Sequence, residues 1–284
     1  MLKVLQKIVE VYVYSNLHIS LAAGIYILGA YALFDFAEPY AYVVPTMIII
    51  GTFITYNAHR YIGQQRISDR LFPRRILFVQ RYRLIIGVLS ALALVPIGVF
   101  LSKQNPGIWL ILTPCVLLTF LYLVPVFPGQ TRLRDLPWIK IIIIATVWSG
   151  LFLLPLFTTT ETPYIDEQSI LIFIEKFFFF IAITIPFDYR DREIDSSQGV
   201  VTIATQFKPH ELKIGIVACL GAAILAVISL FLTGTYSVRL AIGLIFFYLM
   251  SIALSLGGIR PQQEIYYLGI LDGLILLSGL CYFL

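Results

Sequence analysis

Nine apolar runs of 17 to 22 residues constrain this chain more than any other feature. They fall at about residues 15–34, 41–57, 84–102, 108–127, 138–157, 169–187, 212–233, 236–256 and 264–283. The hydrocarbon core of a bilayer is about 30 Å thick, so a helix needs about 20 apolar residues to cross it. The runs therefore predict an all-α fold, a polytopic membrane helical bundle with nine transmembrane helices.

The composition excludes an ordinary soluble protein. Of the 284 residues, 59% are hydrophobic and 13% are charged, and the mean hydropathy is +0.90. Soluble domains carry about 25% charged residues and about 45–50% apolar ones. The polar stretches are short and lie between apolar runs, so we expect residues 1–284 to form a single membrane domain. Cys115, Cys219 and Cys281 lie inside runs without metal-ligand spacing, which predicts neither a disulfide framework nor a zinc site.

Lysine and arginine residues alternate between the two sides of the predicted bundle. If the N-terminus faces the cytoplasm, the cytoplasmic segments hold 17 of the 20 lysines and arginines. Lys103 and Arg239 then lie on the opposite side, and Lys176 lies inside a run. Cytoplasmic loops of membrane proteins are enriched in these residues. We therefore predict a cytoplasmic N-terminus and a C-terminus on the opposite side of the membrane.

A cluster of acidic residues follows the sixth run. Asp188, Asp191 and Asp195 are spaced i, i+3 and i+7, so a helix that continues past residue 187 places them on one face. Like charges repel unless a cation lies among them, and Mg²⁺ binds through one or two carboxylates together with phosphate oxygens. The spacing suits a Mg²⁺–diphosphate site at the lipid–water boundary. The alternative is a solvated helix end whose acids pair with Arg190 and Arg192.

The residues from Asp191 to Thr202 read Asp-x-x-x-Asp-x-x-x-Gly-x-x-Thr. This pattern resembles the second aspartate motif of the UbiA-type membrane prenyltransferases. Nine helices, a cytoplasmic N-terminus and two long cytoplasmic loops, at 57–83 and 188–213, are also similar to the family pattern. The basic segment 122–140 is similar to the loop after the family's fourth helix. The resemblance covers nearly the whole chain.

The resemblance implies transfer of a polyprenyl group from its diphosphate to a lipophilic acceptor, of the aromatic or quinone-precursor class. It implies Mg²⁺ as the cofactor, with Asp191 and Asp195 as catalytic metal ligands and Asp188 as a third ligand. The family binds the diphosphate between two aspartate motifs and the prenyl tail in a lipid-accessible cavity. Membrane lipids are further expected partners, and no nucleic acid is expected.

The first aspartate motif of the family is replaced in this chain. The family pattern is Asn-Asp-x-x-Asp-x-x-x-Asp, and Asn57 matches its first position. Ala58, Tyr61 and Gln65 stand at the three acidic positions, and the loop is instead rich in arginine. Arginine binds phosphate oxygens bidentately and keeps its charge at any working pH.

These observations predict a diphosphate site built partly from cationic side chains. Arg60 is the candidate catalytic arginine, and Arg60 or Arg66 is expected to contact the diphosphate. His59 is expected to give a hydrogen bond or a proton. The substrate-binding candidates are Asn57, His59, Arg66, Arg134, Lys140 and Arg190. The alternative for most arginines of the 57–83 loop is contact with anionic lipid head groups.

Two other classes of function remain open at this point. A catalytically silent prenyl-lipid-binding protein would share the fold, although the three retained acids favour an enzyme. A secondary transporter would tend to repeat its hydropathy pattern and to place polar groups near the midplane. The chain shows no clear internal repeat, and its polar clusters lie at one face.

The ionisable residues His18, Glu175, Lys176 and Asp272 lie inside the runs. Such groups are costly in a membrane and usually face the protein interior. Glu175 and Lys176 are adjacent on different helix faces, so they need not pair with each other, and pairing between helices is expected. We interpret Asp272 as structural, with acceptor binding as the alternative, and His18 as a satisfied polar residue.

Overall fold

The computed structural model describes residues 2–34, 40–63, 74–104, 106–126, 132–158, 165–197 and 199–284. These residues form an all-helical protein, 85% helix and without strands. The helices are α1 (Leu2–Tyr14), α2 (Leu17–Leu33), α3 (Tyr40–Gly63), α4 (Arg74–Arg81), α5 (Arg83–Leu101), α6 (Ile108–Leu123), α7 (Ile139–Phe152), α8 (Leu154–Thr158), α9 (Glu167–Ser197), α10 (Ile203–Gln206), α11 (Pro209–Leu232), α12 (Val238–Gly257) and α13 (Asp272–Leu280). A 3₁₀ turn (Leu133–Asp135) precedes α7, a π-helical segment (Tyr266–Leu271) precedes α13, and a second 3₁₀ turn (Cys281–Phe283) follows it.

The prediction of nine membrane crossings is not confirmed. Among the described residues, five helical units are long and apolar enough to cross a bilayer: α5, α9, α11, α12 and the unit Tyr266–Phe283. Counting α1 and α2 as one span bent by 64° gives six, whereas α6 and α7 are shorter apolar helices. Helix covers most of each of the nine predicted runs, but nine crossings are not confirmed, because α6 and α7 are short and α3 is not among the five units. One run also divides into α7 and α8.

The helices pack in two neighbouring groups. Helix α9 lies between α7 and α11, and α11 also packs on α12. Helix α2 lies between α3 and α13. Buried aromatic rings connect the groups, since Tyr26 of α2 contacts Trp148 and Phe152 of α7 and Phe180 of α9. This packing leaves a space between α3 on one side and α6, α7 and α9 on the other, which contains the candidate site.

Two glycines allow α2 and α13 to approach closely. A Cβ atom on Gly29 would lie 2.3 Å from the carbonyl oxygen of Gly279, and one on Gly279 would lie 2.4 Å from the carbonyl oxygen of Ile25. Small residues let membrane helices bring their backbones together, which increases van der Waals contact. The crossing holds α13, and with it Asp272, against the rest of the bundle.

The bend between α1 and α2 depends on an asparagine pair. Asn16 has φ 67°, a left-handed conformation that asparagine adopts more readily than most residues. Its Nδ2 donates to Oδ1 of Asn57 at 3.0 Å, and Nδ2 of Asn57 donates to the carbonyl oxygens of Ser15 and Phe53. Both asparagines are buried. The pair therefore fixes the entry of α2 against α3.

Glu175 and Lys176 form a fully buried ion pair, contrary to the expectation that they need not pair. Nζ of Lys176 lies 2.8 Å from Oε1 of Glu175, and both side chains are fully buried. Tyr236 and Tyr248 donate to the Glu175 carboxylate, at 2.7 Å and 2.5 Å. The expected pairing between helices is thus confirmed as well. His18 is also satisfied, since Nε2 contacts the carbonyl oxygen of Gly269 at 2.9 Å.

Candidate active site

A cavity of about 590 Å³ lies between α3, α6, α7 and α9 and extends to α13. Part of its wall is apolar and aromatic, and includes Tyr56, Trp148 and Phe180. Among the described residues, the wall also carries six cationic side chains and three acidic ones, those of Asp191, Asp195 and Asp272. The cationic side chains on this wall are those of Arg60, Arg75, Arg132, Arg134, Lys140 and Arg190. One cavity thus offers an apolar compartment and a site for an anion.

Lys140, at the start of α7, lies between two of the three predicted metal ligands. Its Nζ lies 2.6 Å from Oδ1 of Asp188 and 3.2 Å from Oδ2 of Asp195. The contact with Asp188 is an ion pair without the alignment of a hydrogen bond, whereas Lys140 donates a hydrogen bond to Asp195. Helix α9 continues unbroken to Ser197, which places both acids on the face towards α7, as the spacing predicted. All three side chains are buried.

Asp191 is held by two arginines. Its Oδ1 accepts from Nη2 of Arg75 at 2.8 Å and from Nε of Arg190 at 2.9 Å, and its Oδ2 accepts from Nη2 of Arg190 at 2.7 Å. Arg75 also donates to Glu264 at 2.7 Å. The guanidinium of Arg190 lies over the rings of Phe187 and Tyr267, 5.1 Å and 5.2 Å from their centroids. Both carboxylate oxygens of Asp191 therefore already accept hydrogen bonds from arginines.

Arg134 enters the cavity from the 3₁₀ turn before α7. Nη1 of Arg134 contacts Nε2 of His59, and its guanidinium lies 5.1 Å from the centroid of the Tyr122 ring. Arginine has only donors, so Nε2 of His59 must be the acceptor, and the imidazole is neutral with its proton on Nδ1. The Nε atom of Arg134 is buried without a hydrogen-bond partner. Arg134 therefore retains donor capacity for a ligand.

The side chain of Arg132 stabilises the 3₁₀ turn that positions Arg134. Its guanidinium donates to both carboxylate oxygens of Asp135, at 2.8 Å and 3.1 Å. Burial opposes ionisation of Asp135, but the Arg132 hydrogen bonds outweigh it and hold the pKa of this carboxyl below its ordinary value. The loop carboxylate thus stays ionised and keeps the 3₁₀ turn in place.

Arg60 lines the cavity from α3 and is only 8% exposed. Its Nη1 donates to the carbonyl oxygen of Tyr14 at 2.6 Å. Within the described ranges neither Arg60 nor Arg134 has a carboxylate within ion-pair distance. Buried charges are normally paired, because removal of an ion from water is costly. The buried guanidinium of Arg60 and the half-buried one of Arg134, both without a carboxylate in ion-pair contact, therefore form a candidate site for an anionic ligand.

The remaining predicted residues lie elsewhere. Asn57 does not line the cavity. Its side-chain amide forms hydrogen bonds with Asn16 and with the carbonyl oxygens of Ser15 and Phe53, so its role is structural. Arg66 and Gln65 lie outside the described residues. Asp272, interpreted from the sequence as structural, lines the cavity and has no hydrogen bond or ion pair among the described residues. The π-helical segment that precedes it is a distortion often found at functional sites.

Sequence reasoning missed the parts played by Arg75 and Glu264. Arg75 is one of seven arginines in a loop, and Glu264 is one acid beside the last run, so neither stands out. Their pairing depends on the docking of α4 beside residues 189 positions away in the chain. The signal that could have indicated them is the excess of arginine over acidic partners in 57–83.

The acidic residues, as arranged, do not fit a Mg²⁺ site. Both oxygens of Asp191 accept from arginines, and an ammonium lies between Asp188 and Asp195. On α3, Ala58 and Tyr61 supply no carboxylate. Within the described ranges, no three His, Cys, Asp or Glu side chains are placed to hold a metal ion. The predicted three-carboxylate arrangement is thus replaced by a set of ion pairs.

The UbiA prenyltransferase family model matches residues 58–265 of this chain. The chain belongs to the UbiA prenyltransferase family. Membership of the UbiA family, together with the apolar helices, makes it an integral membrane protein. No sequence among curated proteins matches it.

Solved structures of UbiA homologues share this fold. The apo UbiA homologue from Aeropyrum pernix K1 matches with a TM-score of 0.69 and 12% identity, over 93% of this chain and 95% of that one. The UbiA homologue from Archaeoglobus fulgidus bound to GPP and Mg²⁺ has a TM-score of 0.61 and 15% identity, over 95% and 99%. A digeranylgeranylglyceryl phosphate synthase matches with a TM-score of 0.58 and 15% identity, over 95% and 96%.

Proposed function

We propose that this UbiA family member is a prenyltransferase that binds a polyprenyl diphosphate in the 590 Å³ cavity and transfers the prenyl group to a lipophilic acceptor. The observation that carries the proposal is the presence in this cavity of both cationic side chains and an apolar, aromatic wall. The diphosphate lies at the cationic end, near Arg60 and Arg134, and the prenyl tail lies along α3 and α7. The GPP complex of the Archaeoglobus relative supports this class of ligand.

The reaction requires a leaving group that is stabilised as it departs. The bond between the allylic carbon and the diphosphate oxygen breaks, and the electron pair stays on the diphosphate. Guanidinium groups at Arg60 and Arg134 neutralise the developing negative charge. Aromatic rings such as those of Tyr56 and Trp148 stabilise the cationic carbon through their π faces.

The acceptor forms the new bond and loses a proton. An aromatic or quinone-precursor acceptor would attack through an electron-rich ring carbon, and an unpaired carboxylate is suited to receive the proton that leaves. We assign this part to Asp272, which lines the same cavity from α13. The N-terminus is cytoplasmic and the C-terminus is on the opposite side in this proposal, so the cationic end opens on the cytoplasmic face, where charged substrate is available.

The test is binding of geranyl diphosphate to purified protein in detergent, for wild type, Arg60→Ala and Arg134→Ala. We expect each substitution to weaken binding more than about tenfold, as for loss of one charge-assisted contact. Arg239→Ala, an exposed arginine at the other end of the bundle, is the matched control and should bind like wild type. Absence of binding to folded wild-type protein would contradict the proposal.

A catalytically silent prenyl-lipid-binding protein is the second candidate. The observation that favours it is the absence of the first-motif acids at Ala58, Tyr61 and Gln65. Diphosphate release in the presence of a panel of aromatic acceptors separates the two candidates. Release that is lost in Arg60→Ala supports the enzyme, whereas tight binding without release to any acceptor supports the silent protein.

A further inference from the structure

We infer that Lys140 takes the place of the divalent cation, so that the cavity binds a prenyl diphosphate without Mg²⁺. The inference rests on the proposed function and concerns the cation that meets the diphosphate. The inference is supported by the arrangement of charges at four positions around the cavity.

The first position is the gap between Asp188 and Asp195. The Lys140 ammonium already bridges the two carboxylates, at 2.6 Å and 3.2 Å. Mg²⁺ binds carboxylate oxygens at about 2.0–2.1 Å in a near-octahedral shell. An ion that entered this gap would have to displace a buried ammonium or remain beside it as a like charge. Either event is opposed by the geometry.

The second position is Asp191. Three N–H groups from Arg75 and Arg190 occupy its two oxygens. Both arginines are also fixed on their other sides, Arg75 by Glu264 and Arg190 by the rings of Phe187 and Tyr267. Release of Asp191 to a metal would leave Arg190 without its acidic partner and Arg75 with Glu264 alone. Asp191 therefore positions arginines in this chain.

The third position is the α3 side of the cavity. Ala58 and Tyr61 cannot act as carboxylate ligands, and the neighbouring side chains are the cationic Arg60 and the neutral His59. A metal on this side would have no acidic ligand from the described residues of α3. A phosphate group, in contrast, would meet donors directly.

The fourth position is the ammonium itself. A lysine ammonium has three donors; Lys140 donates one hydrogen bond to Asp195, and its contact with Asp188 is an ion pair. Lys140 also lines the cavity, so a remaining N–H is available to a phosphate oxygen. The two aspartates hold the ammonium where it meets the ligand. Lys140 would then do by charge and hydrogen bonding what a bridging metal does by coordination.

The experiment measures the Kd of geranyl diphosphate for wild-type protein in excess EDTA and in excess Mg²⁺. We expect the two values to agree within about twofold. Binding that is lost in EDTA and restored by Mg²⁺ overturns this inference and leaves the proposed function standing. Absence of binding in both buffers, with folded protein, overturns the proposed function and this inference together.

The variant Lys140→Gln gives the reciprocal test. Removal of the ammonium leaves Asp188 and Asp195 free to bind a metal, so we expect binding to fall more than about tenfold in EDTA and to be recovered in part by Mg²⁺. Equal binding by the variant and wild type in EDTA would overturn the inference. Lys103→Gln, an exposed lysine, is the matched control, and thermal unfolding in detergent verifies that each variant is folded.

Discussion

At the residue scale, the interior of the helical bundle contains a buried ion pair that neighbouring side chains stabilise. Glu175 and Lys176 are fully buried, and the carboxylate of Glu175 receives Lys176 and the hydroxyls of Tyr236 and Tyr248. The ammonium of Lys176 also lies 4.7 Å from the centroid of the Tyr282 ring. Each charge is thus stabilised only as long as its partners are present. This dependence makes the cluster sensitive to single substitutions.

Lys176→Met should lower the free energy of unfolding by about 3–5 kcal/mol, because it leaves the Glu175 carboxylate buried without its cation. The double variant Glu175→Gln/Lys176→Met removes both charges and should be more stable than Lys176→Met alone. Thermal unfolding in detergent measures both, with the exposed Lys103→Met as the control. A Lys176→Met protein as stable as wild type would contradict this account.

At the element scale, the position of α13 depends on a glycine contact with α2. The backbones at Gly29 and Gly279 are so close that a Cβ on either would lie within 2.4 Å of a carbonyl oxygen. Backbone atoms cannot move aside as a flexible side chain can. Helix α13 carries Asp272 into the cavity, so this crossing links packing to the candidate site.

Gly279→Ala should destabilise the fold by about 1–3 kcal/mol or more, since overpacking forces the two helices apart. Binding of geranyl diphosphate should weaken at the same time, because α13 moves away from the cavity. Gly221→Ala is the matched control, since a Cβ there meets nothing within 4 Å. The unfolding temperature and the Kd are the two measurements. If Gly279→Ala and wild type had the same unfolding temperature and the same Kd, the contact between α2 and α13 would not control the site.

At the scale of the whole molecule, helices from distant parts of the chain together enclose the cavity of about 590 Å³ that we propose as the prenyl diphosphate site. Residues from α3, α6, α7, α9 and α13 form its walls, so no single element contains the site. Gly51 of α3 lies on this wall, and a Cβ there would meet nothing within 4 Å. In the proposed function, the space beside Gly51 is part of the room available to the prenyl tail.

Gly51→Phe should fill this space and weaken binding of geranylgeranyl diphosphate more than that of geranyl diphosphate. We expect a loss of about tenfold or more for the longer ligand, since its tail can no longer be buried from water. Gly98→Phe, on the exposed surface of α5, is the control and should bind both ligands like wild type. Equal losses for the two ligands would contradict a tail position beside α3.

The sequence by itself determined which segments are helical, because a run of about twenty apolar residues in a membrane has few alternatives to a helix. It also determined that Asp188, Asp191 and Asp195 share a side of α9 and that the first acidic motif is replaced, since both follow from spacing and residue type. The family followed from these motifs. The number of crossings was not determined, because helix breaks within apolar runs depend on local packing.

Only the tertiary structure decided which charges meet. Lys140 is 55 positions from Asp195, and Arg75 is 116 positions from Asp191, so no local pattern indicates either pair. Asn57 likewise matched a motif, yet the bend at Asn16 uses its amide for packing. Helical periodicity gives the direction of a side chain but not the partner that another helix brings to it. The physical reason is that ion pairs form over a few ångströms in space, and that distance is set by the packing of the helices.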